Sequence, residues 1–275
     1  MSNEPFVRIV VFGAVLAAMA AWELAAPRRR QKLGRKARWP GNLGIVVLDT
    51  LLVRLIFPMG AVAIALAAEA RGWGLFNVLG ASAWLAIPAS VILLDLTIYL
   101  QHVLFHAVPA LWRLHRMHHA DLELDVTTGV RFHPVEILLS MVIKLAVVTA
   151  LGAPALAVLI FEVLLNATSM FNHGNVSLPR GLDRGLRWVV VTPEMHRVHH
   201  SVEVFETNSN FGFNLPWWDR LFGTYRDQPE AGHLGMTIGI AQFRDPTEQR
   251  LDHMLTQPFR EDARMYPLGQ RERGQ

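Results

Sequence analysis

Ten of the chain's twelve histidines fall between positions 102 and 200, and their spacing is regular. His102 and His106 stand four apart at the end of an apolar stretch. On a helix that separation stacks two imidazoles on one face, one turn apart. His115, His118 and His119 form an H-x-x-H-H group, and His196, His199 and His200 form another. Two singles remain. His133 sits in Arg131-Phe132-His133-Pro134 with Glu136 just beyond, and His173 sits in Asn172-His173-Gly174-Asn175, with Asn166 and Ser169 on the same helical side. Neutral imidazole suits zinc, copper, iron and nickel. Burial opposes protonation, and many buried cationic rings would repel one another; a bound cation instead uses every lone pair. Eight to ten nitrogens are too many for one ion. Two ions with four or five ligands each keep open positions, whereas two closed tetrahedral zinc sites need only eight. A ligating ring also needs an acceptor for its second N–H. Asp95 and Tyr99, seven and three residues before His102, are candidates, as are Glu136 and Asn166. His233 and His253 lack such spacing and read as ordinary structural histidines.

The remaining composition narrows the setting. With no cysteine, thiolate metal sites, iron–sulfur clusters, disulfides and a thiol nucleophile are excluded. A net charge of +3 gives no argument for nucleic acid. Only 18% of residues are charged, 52% are hydrophobic, and mean hydropathy is +0.26; soluble domains average about 25% charged. Apolar stretches long enough for a bilayer occur at 6–26, 43–68 and 75–100. The stretch 135–171 is too long for one crossing. Gly152-Ala153-Pro154 divides it into a hairpin, either spanning or re-entrant.

Basic residues from Arg28 to Arg38 follow the first stretch rather than precede it, unlike a signal peptide. They mark the cytoplasmic side. Counting spans from there puts His102 and everything from about Phe171 onward on that same side. Asp49 and Arg54, costly in lipid, should face protein or an interface. The expected fold is all-α: an integral membrane bundle of four to five helices or hairpins, with a cytoplasmic helical cap carrying the histidines. Residues 1–94 supply membrane helices, 95–225 the metal domain, and 226–275 a C-terminal cytoplasmic tail, polar and poorly ordered from about Pro258. Trp217 and Trp218 read as core or interface aromatics without a catalytic role.

These motifs resemble the fatty acid hydroxylase / sterol desaturase superfamily of integral-membrane di-iron enzymes. The likeness runs from about Asp95 to Tyr225. It includes the three histidine boxes, the run from Leu111 to His119, Thr127-Thr128, Arg131-Phe132-His133-Pro134-x-Glu136, Thr192-Pro193-x-Met195-His196-Arg197-Val198-His199-His200, Asn210-Phe211-Gly212 and the run from Trp218 to Tyr225. One departure is Val103, where many relatives carry arginine. The resemblance implies that all ten histidines, His133 and His173 included, bind two iron ions. It also implies that O2 is the co-substrate and that a lipid C–H bond entering from the bilayer is hydroxylated or desaturated. Zinc is a possible substitute metal. No dinucleotide fingerprint is present, so electrons would come from a separate reductase, ferredoxin or cytochrome, or from a reduced pterin, as in the ether-lipid branch of the superfamily. Two rival readings are a haem electron carrier using His102 and His106, and a divalent-metal transporter using Asp49, Arg54 and Asp95.

Overall fold

The computed structural model describes residues 4–260 and 266–268. Among these residues the protein is helical, and pairing of β type is limited to two isolated bridges, Pro27 with Val176 and Ser201 with Ile238. Five segments are long and apolar enough to cross a membrane: Phe6–Ala25, Arg35–Val78, Ala83–Ala107, Pro134–Leu151 and Ala155–Asn172.

The first helix, α1, is Glu4–Ala25. The expected second span is broken: α2 (Arg35–Ile56) stops before Pro58, and α3 (Gly60–Ala70) restarts beyond it. The expected third span also divides. A single turn, α4 (Leu75–Val78), precedes Gly80 at φ +57°, and α5 (Ala83–Ala107) then runs through Pro88 and past position 100. That extension puts His102 and His106 on its last two turns. After α6 (Pro109–His119) comes the hairpin of α7 (Pro134–Leu151) and α8 (Ala155–Asn172). Gly152 closes α7 at φ +62°, a left-handed conformation that glycine adopts without strain. Each arm has 18 residues and rises about 27 Å, close to the ~30 Å bilayer core.

Small residues let these helices approach closely. Ala61 and Ala65 of α3 pack with Leu94 of α5, Val148 of α7 and Phe161 of α8. Gly74 meets the hairpin turn so tightly that a Cβ there would lie 2.1 Å from the Gly152 amide nitrogen. Within the bundle Glu162 of α8 accepts hydrogen bonds from Lys144 of α7 at 2.7 Å and from Arg8 of α1. Opposite charges that meet in this way offset the cost of holding each in lipid.

One end of the bundle is capped by α9 (Arg180–Leu186), α10 (Pro193–His199) and shorter turns. Much of the basic run after α1 is paired with acidic groups at this end of the bundle. Arg28 reaches Glu194 at 2.6 Å, Arg35 reaches Glu23 at 2.9 Å, and Arg38 is wholly buried against Asp121 and Asp125, each at 2.6 Å. Arg30, Lys32 and Lys36 stay exposed. The expectation of a poorly ordered tail falls partly outside the described residues (261–265 and 269–275). Its described portion is packed: Pro258 and Tyr266 are buried, and the Tyr266 ring stacks on Trp112 with centroids 5.4 Å apart.

Candidate metal centre

Each element that carries a histidine has a local reason to start or stop where it does. Pro109 opens α6 and Pro193 opens α10, positions where the missing N–H costs nothing. Thr192 caps α10 by accepting from the Met195 amide. His173 sits immediately after α8 as its C-cap. Gly129 lets the chain pass beside it: a Cβ there would come within 2.4 Å of the Ser169 carbonyl oxygen and 3.1 Å of His173 Nδ1.

The structure gathers nine of the ten expected histidines into two buried groups. His102, His106, His115, His119 and His199 form one, and His118, His173, His196 and His200 form the other; within each group one nitrogen per ring lies within 4.8 Å of all the rest. The groups adjoin. The rings of His119 and His200 stack at 4.6 Å, and those of His118 and His115 are 5.2 Å apart.

Hydrogen bonds fix which nitrogen of several rings carries the proton. Nδ1 of His102, His118, His173 and His199 donates to the carbonyl oxygens of Phe211, Arg131, Ser169 and Ser209, at 2.8, 3.0, 2.7 and 2.7 Å. His115 Nδ1 lies 2.7 Å from Glu136 Oε1, and His106 Nδ1 lies 3.1 Å from the Asn208 side-chain oxygen. Nε2 of each such ring is then a bare lone pair. Yet His102 Nε2 faces His115 Nε2 at 3.1 Å, and His118 Nε2 faces His173 Nε2 at 3.1 Å. Two lone pairs at that distance repel. Nε2 of His199 and of His200 is buried with no partner at all. A cation resolves every one of these conflicts. Nitrogens bound to one ion at about 2.1 Å stand about 3 Å apart when they meet at right angles. The donor set therefore fits two metal ions.

Protonation does not compete near neutrality. Burial pushes His115 down to about 3. Burial together with neighbouring rings pushes His118, His119, His196, His199 and His200 well below the usual imidazole range.

His133, the tenth expected ligand, stands outside both groups. Its Nδ1 accepts from the Val135 amide at 3.2 Å and so caps α7, and its Nε2 lies 3.3 Å from the Leu255 carbonyl oxygen. Both ring nitrogens are thus engaged. The expected acceptors separate in the same way. Glu136 meets a clustered ring, whereas Asp95 instead accepts from the Asn214 and Leu215 amides and from Trp218 Nε1. Tyr99 bonds to Thr224, and Asn166 donates to the Glu162 carbonyl. His233 pairs with Glu194 at 2.9 Å, away from the groups.

Two phenylalanines that spacing alone did not single out touch both groups. Phe132 stacks on His118 at 4.5 Å and lies 6.2 Å from His115. Phe213 lies 6.1 Å from His102 and from His196, and 6.3 Å from His173. The two rings meet at 6.4 Å, an apolar wall shared by both candidate sites. Their only sequence signal was their position: Phe132 directly before His133, and Phe213 directly after the Asn210-Phe211-Gly212 run.

A helical bundle with five helices long and apolar enough to cross a membrane and two histidine groups that could each hold a metal defines a class, and comparison with known proteins places the chain within it. The model of the fatty acid hydroxylase family matches residues 87–224, which contain all ten clustered and single histidines discussed above. The chain belongs to this family. Among curated proteins it is 29% identical over 187 residues to the ornithine lipid hydroxylase OlsE of Rhizobium tropici, covering 67% of this chain and 54% of that one. It is 26% identical over 166 residues to alkylglycerol monooxygenase of Xenopus tropicalis (58% of this chain, 35% of that one). It is 28% identical over 168 residues to cholesterol 25-hydroxylase of Rattus norvegicus (60% and 54%). The chain thus spans between about a third and just over half of these relatives' length. No solved structure matches. The relatives' names are those of hydroxylases and monooxygenases, a class of oxidoreductase.

Proposed function

We propose that the chain is a multi-pass membrane oxygenase that uses O2 and external electrons to hydroxylate, or desaturate, a C–H bond of a lipid. The observation that carries this reading is the pair of adjoining groups of five and four buried histidines, with lone pairs facing lone pairs. Two iron ions held there would supply activation of O2 for C–H oxidation. His102, His106, His115, His119 and His199 would hold one, and His118, His173, His196 and His200 the other. The protein's own contribution is positional. Backbone carbonyls and Glu136 hold the rings in one tautomer and one orientation. Phe132 and Phe213 keep water from the shared face and offer an acyl or sterol chain an apolar surface next to both sites. Where that chain rests decides which carbon is oxidised. The histidine end of the bundle faces the cytoplasm in this reading, where a separate reductase, ferredoxin or cytochrome delivers electrons. A haem carrier fits less well, since Nε2 atoms 3.1 Å apart leave no slot for a porphyrin.

Alkylglycerol monooxygenases among the relatives favour a second reading, cleavage of an ether lipid with a reduced pterin as donor. The test is oxidation by protein purified without oxygen and loaded with ferrous iron. One arm supplies ornithine lipid or fatty acyl lipid with a reductase, the other an alkylglycerol with tetrahydropterin. Product in the first arm supports the main reading and product in the second the alternative. His118→Ala or His199→Ala should abolish either while leaving the protein folded in the membrane; undiminished turnover in both variants would overturn the metal assignment.

A further inference from the structure

The five apolar spans leave an exposed apolar surface on the cap. Trp188 is 60% exposed, Val189 57%, Leu221 70%, Phe222 53% and Trp217 43%. These side chains are contiguous, since Trp217 Nε1 donates to the Trp188 carbonyl at 2.8 Å and Trp217, Leu221 and Phe222 share the short helix Trp217–Leu221 and its cap. Just before them, α9 is two-sided. Leu182 and Leu186 lie on one side, and Arg180 and Arg184 lie on the other. Both arginines are exposed.

The position of this patch along α5 identifies its occupant. The loop that carries it is tied to α5 below the metal groups. Leu215 and Trp218 bond to Asp95, and the Phe222 ring stacks on Tyr99 at 5.5 Å. Asp95 lies two turns, about 10 Å, back along α5 from His102, inside the membrane span. Exposed tryptophan, phenylalanine and leucine at that depth lie at the level of Leu100 and Leu104, which are exposed on another side of α5. Backbone at membrane depth must have its N–H groups satisfied by protein. Asp95 does this for Asn214 and Leu215, which accounts for a carboxylate placed inside a membrane helix.

We propose that residues 182–190 and 217–222 form an interfacial ledge inserted into the leaflet on the histidine side, with Trp188, Trp217, Leu221 and Phe222 at the acyl boundary and Arg180 and Arg184 at the level of the lipid phosphates. Tryptophan at the interface and arginine opposite an apolar face are the side chains such a surface requires.

The chain has no cysteine, so single reporters can be placed in the full protein. Val189→Cys, Leu221→Cys and, on the exposed surface elsewhere in the cap, Asp252→Cys would each be labelled with an environment-sensitive fluorophore. The labelled proteins would be reconstituted in phosphatidylcholine–phosphatidylglycerol vesicles. Spin-labelled acyl chains should quench the reporters at 189 and 221 several-fold more than the one at 252, and aqueous iodide should show the reverse order. Arg180→Glu with Arg184→Glu should reduce acyl-chain quenching at 189. Iodide quenching at 189 and 221 equal to that at 252 would overturn the proposal, as would cross-linking between copies through 221, which would make the patch a self-association surface. Neither readout depends on metal or turnover, so the ledge stands or falls separately from the oxygenase reading.

Discussion

Two buried polar clusters lie side by side in this protein, and only one of them is complete within the chain. In the first, Arg38 is held by Asp121 at 2.6 and 2.7 Å and by Asp125 at 2.6 Å, while Thr128 and Asn42 donate to the same Asp121 carboxylate. Here charge meets opposite charge. In the second, which reaches within two residues of Asp121 at His119, nine imidazoles crowd together, lone pair faces lone pair between His102 and His115 and between His118 and His173, and the one carboxylate in contact is Glu136 at His115. The first cluster is a structural lock joining α2 to the segment after α6. The second is a receptor whose ligand completes it. Burial alone does not separate the two, since both are buried. What separates them is whether donors meet acceptors.

Metal removal should give the largest difference between the clusters. A ligand that binds only the folded state at 1,000 times its Kd adds about 4 kcal/mol of stability. Chelation of the metal-loaded protein should therefore lower Tm by many degrees. Hydrogen exchange should accelerate around His118, His173 and His196 and change little across 121–128. Uniform loosening of both regions would mean that the lock is not independent.

Arg38→Gln should act the other way. Breaking a buried pair by removing one partner costs about 3–5 kcal/mol, because it strands the opposite charge. Asp121 and Asp125 would be left facing each other's charge. The variant should be strongly destabilised, yet whatever fraction folds should bind metal in the normal ratio. Folded protein with depleted metal would show that the arginine supports the histidines directly.

Acid should separate the clusters by pH. Rings whose folded pKa is depressed refuse protons that the unfolded chain accepts below about 6.5. Stability carried by the histidine groups should thus fall as pH drops through 6.5 and continue falling toward the value of about 3 for His115. Metal should leave over the same range. Asp121 follows the same sign in a lower window. Burial raises its pKa, but Arg38 and Arg131 outweigh this and hold it at about 2. Its contribution is present above the unfolded value of about 3.9 and is lost only below it. Metal content and exchange at 121–128, followed from pH 7.5 to 4, should therefore part company, the metal going first.

The histidine cluster was legible because its ligands are one residue type at helical spacings, and that pattern survives without knowledge of the tertiary fold. The lock was not. Arg38 sits in a run of basic residues whose composition suggests a solvated cytoplasmic face, and its partners lie more than eighty positions away. Nothing local marks one arginine of that run for burial. Asp95 shows the same limit. Its position on the His102 face was readable, but its partners there come from a loop, residues 214–218, which no spacing predicts. The bundle was readable in number of spans, and the full division of α2 from α3 at Pro58 was less so, because hydropathy continues across it.

The smallest and sharpest contrast lies within one short motif. His133 and Glu136 are three residues apart, and both were expected to serve the metal. The geometry divides them. Glu136 accepts the His115 N–H at 2.7 Å, whereas His133 bonds the Val135 amide and lies 3.3 Å from the Leu255 carbonyl oxygen. Loss of such a carboxylate behind a ligand typically weakens metal binding 10- to 100-fold. Glu136→Ala should do so at the five-ring site, with Glu136→Gln retaining part of the affinity, since an amide oxygen still accepts. His133→Asn should keep both metals at unchanged affinity. An asparagine is a good helix cap, so even its stability cost should stay within about 1 kcal/mol, the usual size of a cap. Metal titration of the three variants decides the matter. If His133→Asn loses an ion while Glu136→Ala keeps both, the roles drawn from the coordinates are reversed, and the ring must swing from its cap onto the metal when an ion is bound.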